Sequence, residues 1–308
     1  MDKKAIVLLN MGGARSKDEL KVFLHNMFND KNIITFKSDT LRSMLASLIV
    51  TMRLNSAWKN YEQIGSKSPL HDLTSKLVDK LQVALPNYYI TTAMRYTSPF
   101  SQTAIARIKK ENISEVILLP LYPQYSTTTT KSSIEDFLDK QDKSTPFKIK
   151  IVEPFFKDEL YNKAICDEIV RVQAKYHDFH LIFSAHGLPQ KIVNKGDPYQ
   201  KQIEEHVEIL KEKLTHYAVN FHSINLAYQS KVGPMKWLTP SLETMLENFK
   251  NQKVIIYPIS FIIDNSETAF ELDIEYREIA DKIGIKEYKV CRCINDSDTF
   301  VEAIQNLI

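Results

Sequence analysis

One order of strands and loops occurs twice along this chain, and that repetition limits the fold more than any composition figure. Residues 5–9 followed by Asn10-Met11-Gly12-Gly13 parallel residues 181–184 followed by Ala185-His186-Gly187. Ala93-Met94-Arg95-Tyr96 ahead of Pro99 parallels Leu226-Ala227-Tyr228-Gln229 ahead of Pro234. The run 116–120, closed by Pro120, parallels 254–258, closed by Pro258. These short β-branched runs alternate with helical patterns, the signature of parallel α/β sheets buried on both faces. Strands are expected at 5–9, 88–94, 116–122 and 148–152, then at 181–184, 224–228, 254–258 and 288–291. The fold class is therefore α/β, as two similar doubly wound, Rossmann-like domains with four-stranded parallel sheets facing across a cleft. A length of 308 residues fits two domains of about 150 each. The expected division is 1–153, 154–295, and a C-terminal helix over 296–308 that packs back on the first domain. Open α/β sheets bind ligands beyond the C-terminal ends of their strands, so six post-strand loops line the expected cleft.

The copies differ in length. From Leu8 to Ala93 is 85 positions, and from Phe183 to Ala227 is 44. About 40 extra residues therefore lie in the first domain, near 26–64. Ahead of them, Ser16-x-x-Glu19 is a capping box opening a helix. Within them Leu41, Met44, Leu45, Leu48, Ile49 and Met52 share one helix face. That face either docks the segment on the core or makes it a lid over a hydrophobic ligand or a membrane surface. Lys37, Arg42, Arg53 and Lys59 tilt it positive, which suits anionic head groups or carboxylates.

Composition removes several function classes. Only seven residues are glycine, and neither G-x-G-x-x-G nor a P-loop occurs, so nucleotide-binding readings lose their usual support. The net charge of +2 comes with no dense basic run, so no nucleic-acid partner is expected. Three cysteines cannot frame a secreted fold, and the Cys291-x-Cys293 pair lacks the second pair of a zinc or iron–sulfur site. No apolar stretch approaches membrane-spanning length and no signal-peptide pattern opens the chain, so the expected location is cytoplasmic.

His186 stands just past a buried strand and before a glycine, where an imidazole takes up a proton near neutral pH or binds a metal. Residues 264–283 read as a helix on which Asp264, Glu267, Glu271, Glu275 and Glu278 fall within about 80° of one another. An acidic stripe is ordinarily a solvated face, and Asp264-x-x-Glu267 is itself capping-box-like. Stacked like charges nevertheless cost a helix stability, and a carboxylate row entering a cleft relays protons or a hard divalent cation. Residues 125–133, rich in Ser and Thr, suit either an anion site at a helix N-terminus or a capped, hydrated turn. Hydrolase and kinase signatures are missing.

As a set these residues resemble the ferrochelatase family, enzymes that insert Fe(II) into a porphyrin at the end of haem synthesis. The resemblance rests on Leu9-Asn10-Met11-Gly12-Gly13, YEQIGSKSPL at 61–70, Met94-Arg95-Tyr96 and LYPQYS at 121–126. It continues through 183–189, NKGDPY at 194–199, YQSKVGPMKWL at 228–238 and PISFIIDNSETAFELDIEY at 258–276. It spans nearly the whole chain in family order and implies a chelatase-type pair of domains around a porphyrin cleft. By position, His186 resembles the family's essential histidine, a pyrrole proton acceptor or first iron ligand, and Glu267 its acidic partner in the same metal site. Glu271 and Glu275 resemble the inward carboxylate row for protons or metal. Met11, Arg95, Tyr96, Tyr122, Met235, Trp237 and Phe261 match cleft-lining positions, and Arg53 and Ser68 match groups near the porphyrin propionates.

The resemblance implies protoporphyrin IX and Fe(II) as substrates, with two protons released and no permanent cofactor. It also implies a membrane-surface contact through the lid, peripheral on the inner face, and an upstream oxidase of the haem pathway as a partner. Many members carry histidine where this chain has Asn265, so no metal role carries over there. Some carry a C-terminal cysteine cluster for a [2Fe–2S] centre that this sequence lacks. The long insertion resembles the lip of protoporphyrin-using members; the coproporphyrin III branch is shorter there. A porphyrin or haem carrier without turnover, or a sirohydrochlorin chelatase, are the competing readings. Six of the seven glycines fall in the matching stretches, and the expectation is that they let backbone approach a flat macrocycle or turn tightly beside it.

Overall fold

A computed structural model of the chain describes residues 3–36, 38–173, 178–231, 233 and 235–308. Lys37 and Pro234, both used above, lie outside them. The chain divides into two compact units, one of residues 1–122, 126–153 and 304–308, the other of 123–125 and 154–303.

The first unit runs β1 (Lys4–Asn10), α1 (Lys17–Phe28), α2 (Asp39–Gln63), α3 (Leu70–Ala84), β2 (Tyr88–Met94), α4 (Ser101–Lys110), β3 (Glu115–Pro120), a π-helical turn (Thr127–Lys131), α5 (Ser132–Lys140) and β4 (Lys148–Ile151). Its sheet is parallel throughout, in the order β2-β1-β3-β4. β1 is buried from Ala5 to Asn10 because helices cover both faces of the sheet. Ala5, Val7 and Leu9 pack with Ala104, Ile108 and Phe137 on one side.

The second unit runs α6 (Glu159–Gln173), β5 (Phe179–His186), α7 (Gln190–Val193), α8 (Tyr199–Leu214), β6 (Ile224–Gln229), α9 (Leu242–Leu246), β7 (Lys253–Tyr257), a π-helix (Glu267–Glu275), α10 (Tyr276–Ile283), β8 (Glu287–Val290) and the start of α11 (Asp298–Leu307), whose residues from 304 on are counted with the first unit. The order β6-β5-β7-β8 is the same topology again, and again parallel. A further shared detail is the π-helical segment between the third strand and the following α-helix of each unit. α10 ends where Gly284 takes the left-handed conformation (φ +88°) of a helix C-cap. A buried chain of neutral groups ties this unit's loops to its helices. Gln124 Nε2 donates to His206 Nδ1 at 2.8 Å, and His206 Nε2 donates to Asn162 Oδ1 at 2.7 Å. Burial pushes the His206 imidazole down to about 3, so the ring stays neutral.

Three expectations need correction. The repeat holds, but its second match slips by one residue. Asn10 pairs with Met94 and Ala185 with Tyr228, while Leu121 N donates to Leu9 O as Ile259 N does to Ser184 O. Met94 therefore corresponds to Tyr228, and Met11 to His186. The proline matching Pro99 is Pro240, since Pro99 O accepts from Met94 N and Pro240 O from Tyr228 N. Strand ends also move: β5 is longer than expected and closes on His186, whereas β3 stops at Pro120.

The third correction concerns the insertion, which is α2. Its docked face is not the stripe of large apolar residues. Val50, Leu54, Ala57 and Tyr61 pack with Leu20 and Leu24 of α1, Ala46 is fully buried, and buried Arg42 binds Asn29 O and Phe36 O. Leu41, Met44, Leu48 and Met52 stay 56–66% exposed. Among the described residues no helix is long and apolar enough to cross a membrane.

Candidate functional site

The second unit gathers its chemistry at the C-terminal end of β5. His186, the last strand residue, is held by the sheet, and its Nδ1 lies 2.8 Å from Glu267 Oε2. Both side chains keep about a third of their surface open, 36% and 32%. Burial pushes the imidazole pKa down, but the charge of Glu267 and its hydrogen bond outweigh this and leave it raised above 6.5. Burial acts upward on Glu267, and the imidazole pulls it net below the usual carboxylate range. With Nδ1 committed to Glu267, Nε2 is the nitrogen presented to a substrate. Phe261 packs edge-on against the imidazole at 6.3 Å between ring centres.

Glu267 opens the π-helix rather than an α-helix, which changes the arithmetic of the acidic row. Bonding from i to i+5 widens the turn beyond 3.6 residues, so positions four apart come closer to eclipse. Glu271 thus lies near Glu267, and one hydroxyl reaches both. Ser230 Oγ is 3.2 Å from Glu267 Oε2 and 2.7 Å from Glu271 Oε2. Burial and the neighbouring Glu267 charge push Glu271 up to about 7. Glu275 is also raised, by burial and then by Glu278 and Glu243. Ser230 holds this position with φ +66°, a left-handed backbone uncommon outside glycine. Its neighbour Gln229 accepts from Ser184 Oγ at 2.7 Å and turns its amide nitrogen toward Glu271 at 3.5 Å.

Asp264 does not belong to the row. It precedes the helix and accepts from Cys293 N and Asn295 Nδ2. The cap is Asn265, whose Oδ1 accepts from Glu267 N at 2.8 Å while Thr268 Oγ1 accepts from Asn265 N. Asn265 therefore orients Glu267 through the backbone. Gly187 is needed because a Cβ there would meet Gln229 O at 2.7 Å; likewise one on Gly13 would meet Ser68. Gly12, Gly65, Gly196 and Gly233 take positive φ, as tight turning requires, whereas Gly13 and Gly187 answer to close approach of the chain to itself. Trp237 bridges to Pro189 beside Gly187, and Met235 is 56% exposed.

In the first unit, Arg95 and Tyr96 enter one buried network, and Tyr122 makes a separate buried pair. Arg95 reaches Asp30 at 3.1 Å and Asp136 at 3.4 Å, Tyr96 donates to Asp30 at 2.8 Å, and Ser132 also donates to Asp30. The Tyr122 hydroxyl pairs with Ser133 at 3.0 Å. Ser132 and Ser133 thus spend their hydroxyls inside the protein, and Ser126 Oγ accepts from Thr128 N as in a capped turn. Met11 O accepts from Tyr96 N. Ser68 is buried, and Arg53 stands exposed over the Phe28 ring at 5.9 Å. Among the described residues, no three His, Cys, Asp or Glu groups converge as a metal cage. Sequence reasoning missed Ser230, Gln229, Tyr199 and Ser260; only their place inside the family-like stretches pointed at them.

Residues 3–308 match the ferrochelatase family. A ferrochelatase of Sulfurimonas denitrificans is 52% identical over 100% of this chain and 98% of its own length. One from a Nitratiruptor species is 50% identical, covering 99% and 98%. Among solved structures, SirB from Bacillus subtilis with Fe3+ superposes with a TM-score of 0.60 at 12% identity, over 99% of this chain and 94% of that one. The sirohydrochlorin chelatase SirB of B. subtilis subspecies spizizenii, in complex with cobalt, gives 0.59 at 11%, with the same coverage. At such identity these two share the fold alone.

Proposed function

The chain belongs to the ferrochelatase family, metal chelatases that insert Fe(II) into a porphyrin for haem synthesis, and from that premise we propose that its substrate is protoporphyrin IX and that His186 and Glu267 carry the reaction. Insertion replaces two pyrrole N–H protons with one Fe(II), so two protons must leave for each metal that enters. His186 Nε2 takes the first, and Glu267 stabilises the imidazolium through Nδ1. Glu271, poised near neutrality, accepts protons onward toward Glu275 and solvent. The alternative use of the same Nε2 lone pair is as a ligand to the incoming iron beside the Glu267 carboxylate, before any pyrrole proton is taken. The 2.8 Å pairing of His186 with Glu267 is the observation that carries this reading. A carrier has no need of a base coupled to an acidic row.

The substrate assignment draws on α2, a 25-residue insertion with an exposed apolar stripe suited to a dicarboxylate macrocycle without further acidic arms. Arg53 and Ser68 are assigned to the propionates, and Met11, Arg95, Tyr96, Tyr122, Met235, Trp237 and Phe261 to the macrocycle. The same stripe supports peripheral contact of a cytoplasmic protein with a membrane surface, where an upstream oxidase of the pathway would deliver porphyrin. Turnover of protoporphyrin IX, coproporphyrin III and sirohydrochlorin with Fe(II) tests the assignment. The highest kcat/KM is expected for protoporphyrin IX; preference for coproporphyrin III would overturn it, and no turnover with any would favour the carrier.

A further inference from the structure

β7 stops pairing at Tyr257, opposite Phe183, while β5 continues to His186. Gly187 N binds Gln229 O on the β6 side, and Ser184 O accepts from Ile259 N on the β7 side. By the alternation of a strand, the N–H and C=O of His186 therefore point to the β7 side, where no strand remains to receive them. Two side chains stand in for the missing strand. His186 N donates to Ser260 Oγ at 2.9 Å, Tyr199 Oη donates to His186 O at 2.9 Å, and the two hydroxyls lie 2.6 Å apart. Each hydroxyl owns one proton. The Tyr199 proton is spent on His186 O, so Ser260 must donate to Tyr199 Oη. The three bonds form a closed ring with one direction, in which every donor is used once.

The rest of the NKGDPY stretch serves this ring. Gly196 turns the chain at φ +98°, Asp197 Oδ1 accepts from Tyr199 N at 3.0 Å, and α8 starts with its first ring buried. Burial keeps the phenol neutral, so its proton stays available to donate.

We propose that Tyr199 and Ser260 are positioning residues that fix the His186 peptide, and through it the direction in which the imidazole faces its substrate. This rests on the reading of His186 as the proton acceptor. Without the ring, the last residue of β5 would be held from the β6 side alone, and small displacements of a reacting group cost up to about 100-fold in rate.

The experiment compares Tyr199→Phe, Ser260→Ala, Ser260→Thr and Tyr199→Phe/Ser260→Ala with the parent for iron insertion, porphyrin fluorescence quenching and thermal midpoint. The first two should lose about ten-fold in kcat with KM and porphyrin affinity within about two-fold. Ser260→Thr, which keeps the hydroxyl, should recover most of it. The double variant should be no worse than either single, because a ring broken once is already open. Single variants at parental kcat, or losses that simply add, would overturn the proposal. If Tyr199→Phe does not fold, the Ser260 pair decides by the same criteria. If the parent itself shows no turnover, the functional reading falls separately. The ring is then read from the His186 imidazole nitrogen shifts, which should move in Ser260→Ala and return in Ser260→Thr; unmoved shifts would overturn it.

Discussion

His186 Nδ1 and Glu267 Oε2 lie 2.8 Å apart, and that contact joins the end of a strand to the first residue of a π-helix 81 positions later. Each partner favours the other's charged form: the carboxylate raises the imidazole, and the imidazole lowers the carboxylate. Removing either partner therefore changes the basicity of the other.

His186→Ala should lower kcat by about 10²–10⁴-fold with porphyrin binding intact, the usual range for loss of a positioned base. Glu267→Gln should do the same, and should also lower the His186 pKa, which NMR titration of the imidazole would report. A parental rate in either variant would remove that residue from the reaction.

Glu271 gives a pH signature whose sign is opposite to that of an ordinary carboxylate. Its folded-state pKa of about 7 lies above its ordinary value, so its stabilising contribution is complete below about pH 4.5 and fades as pH rises through 7. Glu271→Gln, permanently neutral, should be more stable than the parent at pH 8, by on the order of 1–2 kcal/mol after allowing for solvent screening. At pH 4 the difference should vanish. Denaturant melts at the two pH values measure this.

Ser230→Gly separates backbone from hydroxyl. Glycine accepts the left-handed conformation without strain, so folding should hold or improve. The hydrogen bond that lowers Glu271 is lost, so the limb of the kcat–pH profile that reports Glu271 should move to higher pH. A profile identical to the parent's would show that the hydroxyl does not connect the two carboxylates.

His206 predicts acid lability away from the site. Its pKa is depressed, so its contribution is full above about pH 6.5 and is lost as pH falls toward 3, at up to about 1.4 kcal/mol per pH unit. The groups facing it, Gln124, Asn162, Phe156 and Tyr161, carry no charge to offset this. His206→Gln should flatten the dependence of stability on pH in that window.

Serine at Leu41, Met44, Leu48 and Met52 should leave stability within about 0.5 kcal/mol per site, because none of the four is buried. The same variant should raise KM for protoporphyrin IX and reduce co-sedimentation with anionic vesicles. If both are unchanged, the stripe contacts neither.

Much of this was legible in the residues. Parallel strands buried on both faces announce themselves as apolar runs, and β2 lies at the expected 88–94. His186 stands out by place and type, whereas Glu267 is one of five acids on a stripe and only the family resemblance singles it out. The repeat slipped by one because each match is a few apolar residues with no internal mark, and pairing register alone fixes it. The acidic row was drawn with α-helical spacing, whereas the π-helix brings Glu271 close enough to Glu267 for one serine to reach both. Asp264 looked like a cap because Asn265 beside it has the same chemistry. The docked face of α2 was hidden because it uses Ala46, Val50 and Ala57 with a buried arginine, while the bulkier residues face outward. Ser230, Tyr199 and Ser260 act through backbone geometry that exists only once three separated loops have folded.

The correspondence of Met11 with His186 has a consequence of its own. A duplicated scaffold carries the same address twice, at the exit of its central strand, and fills it with a thioether in one copy and an ionisable ring in the other. On the proposed function, acid–base work is confined to the second copy. The first copy departs most from the second in length, through its extra helix α2.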